Sequence, residues 1–260
     1  MIVKSALRTC FVLFCVLSRS PVAAESLPVH TDSDYEVPSS SQGSKKSFQR
    51  SLSGLYSIPS WRQSHITQPY DDFDSLYQQA HQAQTELEQL IQQVSLSTDT
   101  QSQLPGIKSQ TRAEYKISTE LNGEVNRLTD LARGSLIARD IGSLVQAFEL
   151  LSKKVTIVEV KNRFKLPATS GYRDLKMLVR LPQTQHIAEI QLHLQAISDI
   201  KNGAEHNIYE QLQTIERTAS SQNRELNELE ASRVNSLRNM SINLYQSVWQ
   251  QYLQPERAVS

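Results

Sequence analysis

The sequence predicts an α+β fold, a mixed β-sheet of about four to five strands with helices packed on it and long helices at both ends. Three patterns lead to this. Phe73, Leu76, Ala80, Ala83, Leu87, Leu90 and Val94 recur three and four residues apart, the signature of a long one-sided helix. Val155 to Val160, Leu175 to Arg180 and His186 to His193 are β-branched or alternating runs, the signature of strands. Asn207 to Tyr252 is polar and helical with a break near Ser220-Ser221, and Leu226, Leu229, Leu237, Met240, Leu244 and Val248 form an intermittent apolar stripe.

The amino terminus reads as an export signal. Lys4 and Arg8 supply a basic start, Cys10 to Leu17 a short apolar run, and Val22-Ala23-Ala24 the small residues before a cleavage point, which sets the signal at residues 1–24. The apolar run is far short of the roughly 20 residues that span a bilayer. Both cysteines, Cys10 and Cys15, lie inside this segment. A mature chain would therefore hold no disulfide, reactive thiol or thiolate metal site. The 27 basic and 27 acidic residues balance. That argues against a nucleic-acid coat and against an acidic tail.

Residues 25–69 are rich in Ser, Pro, Gly and charge and poor in large apolar groups. Such a segment buries too little surface to offset its ordering entropy, so it reads as a flexible leader. The amino-terminal helix is expected over 70–98, with Asp71 or Asp72 as its cap. Pro105-Gly106 closes a polar loop. Thr111 to Leu121 then reads as helix, Leu131 to Ala138 as strand, and Asp140 as the cap of a helix facing inward through Ile141, Leu144, Val145, Phe148 and Leu151. In the last strand, Ala188, Ile190 and Leu192 face one way, and Ile187, Glu189, Gln191 and His193 the other.

Six blocks carry the chemistry. They are Ile107-Lys108-Ser109, Thr129 to Ser135 (Thr-Asp-Leu-Ala-Arg-Gly-Ser), Val160 to Phe164 (Val-Lys-Asn-Arg-Phe), Gly171-Tyr172-Arg173-Asp174, Ala188 to His193 (Ala-Glu-Ile-Gln-Leu-His) and His206 to Glu210. In this order and spacing they resemble the synthetase domain of the RelA/SpoT family, nearest its divergent branch with Gly-Tyr-Arg-Asp and Glu-Ile-Gln-Leu-His. The resemblance runs from about Pro105 to Arg217 and places such a domain at 99–217, with a carboxy-terminal helix over 218–260.

The resemblance implies a nucleotidyltransferase-like sheet and transfer of pyrophosphate from ATP to a 3′-hydroxyl. The acceptor would be a purine nucleotide, as in (p)ppGpp or (p)ppApp synthesis, or the end of a tRNA. It assigns Asp130 and Glu189 to a Mg2+ ion, with Glu189 also near the attacking hydroxyl and Gln191 orienting it. Phosphate contacts fall to Lys108, Arg112, Lys116, Arg133, Lys161 and Arg163, and the acceptor side to Tyr172, Lys176 and His193. A segment of like cations suits this chemistry, because phosphoryl transfer is mostly positioning and charge stabilisation.

Several positions depart from the family pattern. Gly106 stands where many synthetases have an arginine on ATP, Lys176 where they have histidine, Asn162 where they often have aspartate, and His193 where an arginine is common. No histidine is followed by aspartate, so the hydrolase signature of bifunctional relatives is missing. An ATP-dependent enzyme behind an export signal implies delivery into another cell, a nucleotide found outside, or lost catalysis on a retained binding fold. A secreted helical interaction protein, with a second copy as one partner, is the reading that needs no resemblance.

Overall fold

The computed structural model describes residues 40–254, with side chains from residue 45. The expected export signal, both cysteines and the first part of the expected leader lie outside the described residues.

The chain runs α1 (Ser40–Ser57), β1 (Trp61–Arg62), α2 (Phe73–Thr98), β2 (Thr100–Gln103), α3 (Gln110–Glu120), β3 (Arg133–Ala138), α4 (Ile141–Lys154), β4 (Thr156–Asn162), β5 (Leu175–Arg180), β6 (Ile187–Leu194), α5 (Gln195–Asn202), α6 (Ala204–Ser221) and α7 (Glu228–Tyr252). The strands form one sheet in the order β1-β4-β5-β6-β3-β2. Only β3 and β6 run parallel, and the other pairs are antiparallel. The sheet thus has six strands where four to five were expected. The additions are the short edges β1 and β2, too brief to show a period of two.

The capping chemistry is where the sequence places it. Asp72 accepts the Ser75 N–H at the start of α2, and Asp140 accepts the Ser143 N–H at the start of α4, both at 2.8 Å. Leu76, Ala80, Ala83, Leu87, Ile91 and Val94 of α2 are fully buried. Leu144, Ala147 and Leu151 of α4 join Leu87 and Ile91 over Leu136, Met177, Ile190 and Leu192 of the sheet. Truncating one of the buried Leu or Ile residues would cost roughly 2–5 kcal/mol. Gly134 leaves room for α2, since the Cδ1 of Ile91 occupies the space that a Cβ there would need.

The leader is the main difference from expectation. Residues Ser40–Ser57 form α1, and Phe48, Leu52 and Leu55 pack into the core formed with α4. Three apolar residues at spacings of four and three suffice because α4 already offers the other half of the contact. After α1 the chain crosses the β4 edge as β1, and Ile66 caps a small cluster with Val158, Leu178 and Ile187. Gln68, buried, ties this strap down: its amide donates to Leu128 O and Ile187 O and accepts from Ile187 N.

At the carboxy terminus, α6 ends at Ser221 and α7 begins at Glu228 behind a capping box formed by Asn227 and Glu230. No helix among the described residues is long and apolar enough to cross a membrane.

Candidate active site

The register assigns side chains to two faces. Gly134, Leu136, Leu175, Met177, Ile190 and Leu192 face the helices. The opposite face carries two polar rows. Arg62, Glu159, Leu178, Glu189 and Arg133 are successive neighbours across five strands. Lys161, Lys176, Gln191 and Ser135 form the next row.

Asp130 sits on the segment that leads into β3. Leu128 and Leu131 on either side of it are buried with Leu76, Ala80, Ala113 and Ile117, which fixes α3 beside this segment. Lys108 N–H donates to Leu131 O. Lys108 and Lys116 consequently both reach Asp130 Oδ2, at 2.6 and 2.8 Å. Burial alone would raise the Asp130 carboxyl, but the hydrogen bonds and charge of the two lysines outweigh it and hold it below the usual range. Its other oxygen, Oδ1, is buried and has no hydrogen-bond partner. The segment runs alongside β6, with the Glu189 N–H donating to Ala132 O.

Glu189 accepts a hydrogen bond from Gln191 Nε2 on Oε1 at 2.7 Å, and Lys176 lies 3.3 Å from Oε2. Gln191 in turn accepts from Lys201 Nζ at 3.2 Å. Arg133 is held by α2: Gln84 accepts its N–H and donates to its carbonyl, as a strand partner would. Arg112 and Lys161 are exposed, and neither is among the ion pairs found in the described residues.

The residues that the resemblance assigns to the acceptor contact one another: the Tyr172 hydroxyl donates to Asp174 Oδ2 at 2.9 Å and lies 2.7 Å from His193 Nε2. His193 is 1% exposed, and burial pushes its pKa down to about 3. Arg163, expected on ATP, pairs with Asp174 at 2.6 Å. Burial and the Asp174 carboxylate both raise the Tyr172 pKa, which keeps the phenol neutral. Asn162 is also not available to a nucleotide. It is 1% exposed, donates to Leu55 O and Ile58 O, and accepts from Phe164 N and Lys165 N.

Helix α7 packs against the loop that carries Gly171 to Asp174. The Gly171 Cα approaches the α7 backbone at Ile242, the Tyr172 and Tyr245 rings meet edge to face at 5.6 Å, and Arg173 lies 5.1 Å over Trp249.

The structure therefore brings together three groups: Asp130 with Lys108 and Lys116, Glu189 with Gln191 and Lys176, and Tyr172 with His193 and Arg163. Sequence reasoning missed Glu159, Asp174 and Lys201. Asp174 was legible, since it shares the Lys176 parity within the Gly-Tyr-Arg-Asp block. Nothing in the sequence signals Lys201, whose place depends on how α5 folds back against the Tyr172 ring. Burial pulls its pKa down. Among the described residues no group of three or more His, Cys, Asp or Glu side chains is placed to hold a metal ion.

The fold has known counterparts. The structure is similar to the type VI effector Tas1, solved in complex with its immunity protein: 18% identity, TM-score 0.52, covering 68% of this chain and 96% of that one. It also aligns with small alarmone synthetase 2 from Bacillus subtilis (20% identity, TM-score 0.47, 68% and 96% covered). A GTP pyrophosphokinase family protein from Streptococcus pneumoniae aligns at 15% identity and TM-score 0.46, with 72% and 97% covered. No protein-family model matches the sequence, and no curated protein matches it. The chain shares the α+β fold of Tas1, and at 18% identity the likeness is one of fold.

Proposed function

We propose that this chain is an exported pyrophosphokinase that moves the β,γ-pyrophosphate of ATP onto the 3′-hydroxyl of a purine nucleotide or an RNA end. The observation that carries the reading is Asp130: a largely shielded carboxylate, 14% exposed, held below its usual pKa by two lysines on one oxygen, with its other oxygen buried and without a partner. An acid kept charged while largely shielded from water, with a free lone pair, suits a divalent cation. With Glu189 as the second carboxylate, the remaining positions are open to phosphate oxygens and water, a donor set typical of Mg2+. Mg2+, when bound, neutralises the triphosphate and lowers the cost of charge developing on it.

The chain's own groups account for the rest. Lys108 and Lys116 stand at the carboxylate and face the triphosphate. Exposed Arg112 and Lys161, with Arg133, supply further cations. Glu189 takes the proton of the attacking hydroxyl, and Gln191 holds it in orientation through Oε1. The 3′-oxygen forms a bond to the β-phosphorus, the bond between that phosphorus and the bridging oxygen breaks, and AMP leaves with the electron pair.

Delivery into another cell is supported by the amino-terminal sequence, which reads as an export signal, and by the fold shared with Tas1, an effector solved in complex with its immunity protein. It also resolves the difficulty of finding ATP after export.

One observation favours a second reading. The Tyr172 ring already has Lys201 and Arg163 at 5.6 and 5.8 Å, and its hydroxyl is committed. A binding module without turnover would keep such a closed acceptor side. Incubating residues 25–260 with ATP, Mg2+ and a panel of purine nucleotides and tRNA separates the two. The enzyme yields AMP and a product heavier by one pyrophosphate. Nucleotide binding by calorimetry without any product supports the module instead.

A further inference from the structure

We infer that Glu159 is a positioning residue that takes Lys176 away from Glu189 when Glu189 becomes engaged, an inference that rests on the proposed pyrophosphokinase. Glu159 and Glu189 flank Leu178 in one row across β4, β5 and β6. At normal strand spacing their backbones lie about 10 Å apart. Lys176, on the central strand and one row along, projects between them. Its Nζ is 3.3 Å from Glu189 Oε2 and 3.8 Å from Glu159 Oε1. The other oxygen of Glu159, Oε2, is taken by Arg62 of the strap.

Arg62 and Lys176 stand against the two glutamates, and Arg133 follows Glu189 in the row. Glu159, Glu189 and Lys176 are largely shielded from water: their side chains are 9%, 16% and 19% exposed. Charges so shielded interact more strongly than on an open surface. For Glu189 to hold a divalent cation or receive a proton, the Lys176 ammonium has to leave Oε2. Glu159 Oε1 is within reach of the same flexible side chain with no backbone movement. Without that second carboxylate, Lys176 has Glu189 alone and competes with whatever approaches it.

The test reads cation binding rather than turnover. Mn2+ affinity is measured by electron paramagnetic resonance in the presence of a non-hydrolysable ATP analogue. Glu159→Gln, an isosteric change, should weaken Mn2+ binding roughly fivefold or more. Lys176→Met should tighten it, and adding Glu159→Gln to Lys176→Met should cost nothing further, because the competitor is gone. Arg62→Gln should keep affinity at or above the wild type. The inference is overturned if Glu159→Gln binds like the wild type, if the double variant is as weak as Glu159→Gln, or if Arg62→Gln is equally weak, which would mean only that the strap had loosened. Absence of Mn2+ binding in the wild type would overturn the pyrophosphokinase reading, and this inference with it.

Discussion

The Tyr172 hydroxyl lies 2.7 Å from Nε2 of His193 and 2.9 Å from Oδ2 of Asp174, so one phenol links a buried imidazole to a buried acid. The phenol has one proton, which it donates to Asp174. The other ring nitrogen of His193, Nδ1, is buried and has no hydrogen-bond partner. The ring is neutral because burial holds its pKa near 3, assisted by the charges of Lys201 and Arg163.

That neutral ring makes stability depend on acid. The unfolded chain binds a proton near pH 6.5 and the folded chain only near pH 3, so between these values the unfolded state holds more protons. The His193 contribution is complete above pH 6.5 and is lost as pH falls toward 3. Buried His186, its pKa also lowered by burial, acts in the same direction. Thermal unfolding at pH 7.5 and 4.5 should show a smaller drop for His193→Leu than for the wild type. Equal drops would mean that His193 is not held neutral.

Gly171 is expected to tolerate no side chain. Its φ is +82°, and a Cβ would sit 3.0 Å from Ile242 Cα in α7. Gly171→Ala should destabilise by about 1–3 kcal/mol in denaturant titration. Because the clash is with backbone, Ile242→Ala in the same chain should not restore stability. Restoration would place the contact in the side chain.

The strap depends on Gln68. Its side chain makes three hydrogen bonds to main-chain groups of Leu128 and Ile187. Gln68→Leu leaves those groups without partners, and a loss of roughly 2–4 kcal/mol is expected in equilibrium unfolding. A loss below about 0.5 kcal/mol would show that water replaces the amide freely.

What the sequence revealed follows from which interactions are local. The α2 stripe, the Asp72 and Asp140 caps and the alternation of β6 are set by neighbours within a few residues, and each is visible in the structure. Helix α1 was not legible, since Phe48, Leu52 and Leu55 are three apolar residues in a Ser- and Gly-rich stretch and gain meaning only against α4. In the site, the face shared by Glu189, Gln191 and His193 came from strand parity. The pairing of Tyr172 with His193, of Arg163 with Asp174, and of Lys176 with two glutamates depends on register between strands distant in sequence. Composition and spacing do not encode that register.

The most direct measurement is AMP released from ATP by the folded mature chain in the presence of Mg2+ and acceptor. The wild type should release AMP and transferred product in equal amounts, and Asp130→Ala and Glu189→Ala should each lose at least about a hundredfold. Transfer that survives both substitutions, or no AMP from well-folded wild type with any acceptor, would contradict the assignment of these two carboxylates.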